Sequence, residues 1–129
     1  MSMTFTLPGG ARVDAHIGPF TVHTDQPPAN SAPAPFALFL ASIGACAAYF
    51  VQVFCERRGI PYEAIVVRQH NEYGPGGYVE QVRLVVELPP DFPSRYREAV
   101  LRAADQCTVK KHLEHPPRIV VEAPALEPA

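Results

Sequence analysis

Polar and apolar residues alternate over two short stretches near the start of the chain. Arg12-Val13-Asp14-Ala15-His16-Ile17 and Phe20-Thr21-Val22-His23-Thr24 both repeat with period two, and Gly18-Pro19 turns between them. Thr4-Phe5-Thr6-Leu7 precedes them as a further short strand, stopped by Pro8-Gly9-Gly10. A loop rich in Pro, Asn and Ser follows from Asp25 to Pro35. The alternation then gives way to an apolar run, Pro35 to Arg58, whose hydrophobic residues cover nearly all faces of a helix. Pro35 suits a first helical turn, Gly59 suits the C-cap, Pro61 blocks continuation, and Arg57 and Arg58 sit at the negative end of the dipole. The pattern predicts a central helix, buried on most sides.

Beyond it, Ala64 to Gln69 and Tyr78 to Leu88 predict two strands joined by Gly74-Pro75-Gly76-Gly77. From about Pro93 a helical spacing returns, with Phe92, Tyr96, Ala99, Val100, Ala103 and Cys107 on one face. Asp105 is placed to cap a short further helix holding Val109 and Leu113, and Arg118-Ile119-Val120-Val121-Glu122 predicts a last strand. The order β-β-β-α-β-β-α-(α)-β is an α+β pattern. The length suits one domain over residues 1–129, with 124–129 as a frayed Pro/Ala-rich tail.

Composition narrows the function classes. A net charge of −2 with both signs dispersed argues against nucleic acid as a partner. MSMTFTLPGG has no basic segment followed by an apolar core, so no secretory signal is expected. The run from Pro35 to Phe54 approaches membrane-spanning length, but Ser42, Gln52, the many alanines and the abrupt Glu56-Arg57-Arg58 favour a buried helix over a membrane anchor. Three cysteines without a signal peptide point to a reducing, cytoplasmic setting, where any disulfide is transient.

The cysteines are the candidate chemistry. Nine helical steps separate Cys46 from Cys55, roughly 900° of rotation, so they face opposite sides about 13 Å apart along the axis and cannot pair. Any intramolecular partner is therefore Cys107, on the second helical region. A free cysteine is equally at home as a small core residue. A reactive one needs a nearby cation or helix N-terminus. A helix starting near Asp105 or Gln106 would favour a Cys107 thiolate, and Arg12, Lys110 and Lys111 are the candidate cations. Other chemistry finds little support. Cys107 and His112 have no standard metal-ligand spacing, there is no CxxC or HxxxH, and the five histidines are scattered, so neither metal nor cofactor is expected. The glycines at 74–77 lie between strands and do not open a helix, so they form no phosphate loop.

Two segments taken together resemble the OsmC/Ohr family. Pro35-Phe36-Ala37-Leu38-Phe39-Leu40-Ala41-Ser42-Ile43-Gly44-Ala45-Cys46 resembles its central-helix motif, and Asp105-Gln106-Cys107-Thr108-Val109-Lys110-Lys111-His112-Leu113 looks like its second cysteine motif. The strand pair between the two helices also fits. Thr24-Asp25-Gln26-Pro27 looks like the OsmC-like branch of the family. The resemblance implies an intertwined homodimer in which antiparallel sheets wrap long central helices, with sites at the dimer interface. It implies a thiol-dependent peroxidase that belongs to the oxidative stress response. Cys46 would reduce an organic hydroperoxide and become a sulfenic acid. Cys107 would resolve it as a disulfide, and an external dithiol would reduce that disulfide. Arg12 would stabilise the Cys46 thiolate.

The chain departs from that pattern at two places. Family hydroperoxide reductases carry a Glu ten residues before the first Cys, where this chain has Phe36, and many members carry Pro where this chain has Thr108. Losing the acidic partner of the activating Arg predicts weak activity. It also supports an alternative, a dimeric module that binds a lipid-like or aromatic small molecule, with passive or redox-sensing thiols. A purely structural role for all three cysteines is the third possibility.

Overall fold

The computed structural model describes residues 1–125. Its first layer is an antiparallel sheet of β1 (Met3–Gly9), β2 (Arg12–Ile17) and β3 (Phe20–Thr24), in that order. The register places Met3, Ile17 and Phe20 side by side, and Phe5, Ala15 and Val22 beside them, so period two collects the apolar residues on one face. The other face is polar: His16 bridges Thr6 at 2.9 Å and Thr21 at 3.2 Å, and His23 pairs with Asp14 at 2.7 Å. Among the described residues no helix and no other strand packs broadly on the apolar face, and Phe5 and Phe20 stand exposed.

The loop after β3 is organised by Asp25, which is buried. Its carboxylate accepts from the Gln26 N–H at 2.8 Å, and from the Ser31 N–H at 2.9 Å and the Ser31 hydroxyl. Helix α1 (Pro35–Arg57) then runs 23 residues with Pro at its first position. It ends in a Schellman motif: the Gly59 N–H donates to the Glu56 carbonyl at 3.2 Å and the Ile60 N–H to the Cys55 carbonyl at 2.9 Å. Gly59 takes the left-handed φ of 65° that this closure requires.

Strands β4 (Val66–Tyr73) and β5 (Val79–Glu87) form the second antiparallel sheet. β4 begins two residues and ends four residues later than predicted, and β5 lies within one residue of its predicted bounds. Helices α2 (Arg97–Ala104) and α3 (Thr108–Glu114) complete the fold. The core gathers Ala47, Val51, Phe54 and Cys55 of α1, Ile60, Phe92, and Val100 and Ala104 of α2, with Leu84 and Val86 of β5 packed against it. The fold is α+β, with antiparallel sheets and helices as expected.

Two expectations are corrected. Helix α1 buries only one side within the chain, through Leu40, Ile43, Ala47, Val51, Phe54 and Cys55, whereas Phe36, Phe39 and Tyr49 are 50%, 41% and 59% exposed. By length and composition it is apolar enough to cross a membrane, a test that core helices also pass. The last predicted strand, Arg118–Glu122, does not form. A strand needs an edge with free N–H and C=O groups to pair with, and this segment meets none within one chain. Ile119, Val120 and Val121 are therefore exposed. Of the predicted tail, Pro124 and Ala125 have no regular structure, and 126–129 lie outside the described residues.

Candidate functional site

Cys46 sits in the middle of α1, half-exposed, next to the core residue Ala47. Helix α2 stops at Ala104, and the Asp105 and Gln106 N–H groups fold back onto the Leu101 and Ala103 carbonyls. Cys107 leaves helical geometry with φ −55° and ψ 123°, and its sulfur accepts from the Lys110 N–H at 3.4 Å. Cys107 is thus the N-cap of α3. Asp105, the expected cap, lies too early for that position and its carboxylate pairs instead with the Lys110 ammonium.

The cap geometry carries the Cys107 sulfur to α1. Its thiol donates to the Ile43 carbonyl at 3.8 Å, one turn before Cys46, which brings the two thiols into one neighbourhood where each shifts the pKa of the other. Burial pulls the Cys46 thiol upward, but the Val109 N–H, the Cys107 thiol, and the N–H and hydroxyl of Thr108 outweigh it, so its pKa falls below that of an ordinary thiol. Cys107 goes the other way: burial raises it, and neighbouring Cys46 adds to the rise against the opposing Lys110 N–H. The start of α3 therefore favours a thiolate at Cys46, and not at Cys107 as its own sequence context suggests. The donors at Thr108 and Val109 act on a residue more than sixty positions away, which no local pattern reveals. The signal available in the sequence is a residue able to donate at position 108.

Cys55 lies on the opposite side of α1, fully buried in the core, and burial raises its pKa against the nearby Arg58. Arg12 is not among the groups that act most on Cys46. It sits at the start of β2, where its Nε donates to the Gly9 carbonyl at 3.3 Å, and it lines a polar cleft with Asp14, His23, Thr24 and Ser31. Lys110 is beside Cys107, and Lys111 is exposed. Phe36 stacks on Phe39 at 5.7 Å between ring centres. Among the described residues no cluster of His, Cys, Asp or Glu could hold a metal ion.

Two clefts lie along α1, and Cys107 lines one of them. One of about 410 Å³ lies between β5 and the last two helices, where Ile43, Val82, Leu84, Val86, Leu101 and Leu113 make an apolar wall around Cys107, and Asp105 and Lys110 supply its polar groups. The other, about 590 Å³, runs along the small residues Ala37, Ala41, Gly44, Ala45 and Ala48 of α1, facing Gln69 and Asn71 of β4.

The family model for OsmC-like proteins matches residues 28–122, most of the chain and both thiols of the pair. The chain belongs to the OsmC-like family. Arg12 lies outside the matched segment. Solved structures show the same fold at low sequence identity. An osmotic stress induced and detoxification response protein from Psychrobacter arcticus 273-4 is 18% identical, with a TM-score of 0.72 and 86% of each chain covered. An OsmC-like protein from Mycoplasma pneumoniae is 15% identical, with a TM-score of 0.71, covering 89% of this chain and 87% of that one. A protein from Aquifex aeolicus VF5 is 13% identical, with a TM-score of 0.72 and the same coverage. No curated protein matches the chain.

Proposed function

We propose that this OsmC-like protein reduces organic hydroperoxides with Cys46 as the reacting thiol and Cys107 as the resolving one. The observation that carries this reading is the docking of Cys107 on α1 one turn from Cys46, a half-buried thiol of lowered pKa, with Cys107 lining an apolar cleft. In the first step the Cys46 thiolate attacks the distal peroxide oxygen. The O–O bond breaks, Cys46 becomes a sulfenic acid, and the alkoxide takes a proton to leave as an alcohol. Cys107 then attacks the Cys46 sulfur, the S–O bond breaks, water leaves and the disulfide forms. An external dithiol supplies two electrons and restores both thiols. The apolar wall favours alkyl over hydrogen peroxide.

The working form in this reading is a cytoplasmic, intertwined homodimer of single-domain chains. The uncovered apolar face of β1–β3, the small-residue side of α1 and the unpaired segment 118–122 all support it. In such a dimer Arg12 approaches Cys46 from the second copy, and Phe36 supplies apolar wall where the family's reductases place a carboxylate. With that carboxylate absent, donors from α3 carry the activation.

Intact-mass analysis of the reduced protein after one equivalent of an organic hydroperoxide tests this. A loss of two protons, absent in Cys46→Ser and Cys107→Ser, is the expected result. No reaction over minutes would favour the second reading, a module that holds an apolar small molecule, which the cleft and the Phe36–Phe39 stack also suit.

A further inference from the structure

Reduction of a Cys46–Cys107 disulfide poses a directional problem. A dithiol reaches Cys46, which is half-buried, more readily than Cys107, which is 2% exposed. Attack at Cys46 makes Cys107 the leaving group. The electron pair of the broken S–S bond then settles on a buried sulfur whose surroundings disfavour charge. From α1 that sulfur meets the Ile43 carbonyl and Cys46, and from β5 it faces a cleft walled by Val82, Leu84 and Val86. None of these stabilises an anion, and the opposing groups are the backbone N–H groups of Lys110 and Val109, which do not outweigh burial.

We infer that Lys110 is the positioning cation of the reduction step, holding the Cys107 sulfur with its backbone N–H and offsetting the leaving thiolate's charge with its ammonium. This inference rests on the proposed thiol-pair chemistry. Two observations carry it. The Lys110 N–H donates to the Cys107 sulfur at 3.4 Å, and the Lys110 side chain lines the same cleft as that sulfur. Pairing with Asp105 is the main cause that raises the Lys110 pKa, and Glu114 and Cys107 add smaller contributions.

The other charged groups here are Asp105, paired with the Lys110 ammonium, and Glu114, 3.9 Å from it. They orient the ammonium from either end of α3. Both pairs are about half open to solvent, where ion pairs contribute little to stability. Lys110 variants are therefore expected to fold.

In the cycle, the dithiol's first thiolate bonds to the Cys46 sulfur and Cys107 departs as a thiolate. The dithiol's second thiol then displaces Cys46 and closes its own disulfide. Both protein thiols end reduced, and Lys110 is neither oxidised nor consumed.

The test compares wild type, Lys110→Met and Lys110→Arg. The disulfide is formed with diamide, and its reduction by dithiothreitol is followed by intact mass across pH. The backbone N–H survives in all three, so the comparison isolates the ammonium. Lys110→Met is expected to slow reduction about threefold to tenfold, with Lys110→Arg retaining most of the rate. A merely structural defect would slow oxidation by hydroperoxide as well, and arginine would not rescue it. Equal reduction rates in wild type and Lys110→Met would overturn the inference while leaving the thiol pair intact. Failure of diamide to join the two cysteines would overturn the thiol-pair reading, and the role of Lys110 with it.

Discussion

The Cys107 sulfur points at the carbonyl of Ile43, 3.8 Å away, one helical turn before Cys46. That contact locks the start of α3 against the middle of α1 and sets which thiol the α3 donors serve. Cys107 spends its own sulfur on capping α3 and docking on α1, while Cys46 receives the hydrogen bonds.

The first prediction concerns pH. Cys46 is lowered because the Val109, Cys107 and Thr108 donors outweigh its burial. Its reaction with an organic hydroperoxide should rise with pH about a midpoint that lies below that of an ordinary thiol. Thr108→Val removes the hydroxyl but keeps the N–H, so the midpoint should move upward and the rate at neutral pH should fall. Iodoacetamide labelling of Cys46 against pH, read by peptide mass, checks this. An unmoved midpoint would show that the hydroxyl contributes nothing.

Cys55 has a different fate. It is fully buried in the core and faces away from Cys46. Cys55→Ser should leave any peroxide reaction intact and cost about 1–3 kcal/mol by burying a hydroxyl among apolar groups. Urea unfolding measures the cost. Loss of peroxide turnover in a folded Cys55→Ser protein would contradict the separation of the two thiols.

Assembly is testable at one position. Ala45 is exposed on the small-residue side of α1. If that side meets a second copy, light scattering should give twice the 14.1 kDa chain mass, and Ala45→Arg should halve it or drive the protein out of solution. A monomeric wild type at micromolar concentration would sink the homodimer.

Asp25 should make the loop before α1 acid-sensitive. The Ser31 hydroxyl and the Ser31 and Gln26 N–H groups hold its carboxyl below the ordinary value of 3.8, with Arg12 adding to the effect. A carboxylate lowered by folding stabilises the native state fully above its unfolded pKa. That stability fades as pH falls from there through the native pKa. Melting temperature should therefore drop below about pH 4, and Asp25→Asn should lower it at neutral pH while flattening the acid slope. Parallel acid slopes in the two proteins would refute the assignment.

Gly44 of α1 faces Gln69 of β4. A Cβ there would collide with the Gln69 Oε1, and Gln69 donates to the Leu40 carbonyl at 2.8 Å. Gly→Ala inside a helix ordinarily gains about 1 kcal/mol. Here the displaced Gln69 should cancel that gain, and Gln69→Ala should restore it, so a thermal-melt double-mutant cycle should show coupling. Simple additivity would mean that Gln69 moves aside without loss.

Much of the fold is legible in local pattern. Period two fixes β2 and β3 because alternate side chains point to opposite faces, and Gly59 ends α1 because only a left-handed residue closes that helix end without strain. The half-turn between Cys46 and Cys55 follows from helix geometry alone. What needs contact between distant segments is not legible. Position 107 rather than 105 caps α3 because the turn after α2 consumes two residues. Residues 118–122 have the composition of a strand but pair with no edge of either sheet, since pairing requires a second set of backbone groups brought alongside and composition cannot supply that. The sequence by itself determined the elements up to α3, the α+β pattern and the candidate thiols. Only the tertiary structure decided that Cys46 is the lowered thiol, because a pKa is set by donors and burial, and these come from wherever the chain crosses itself.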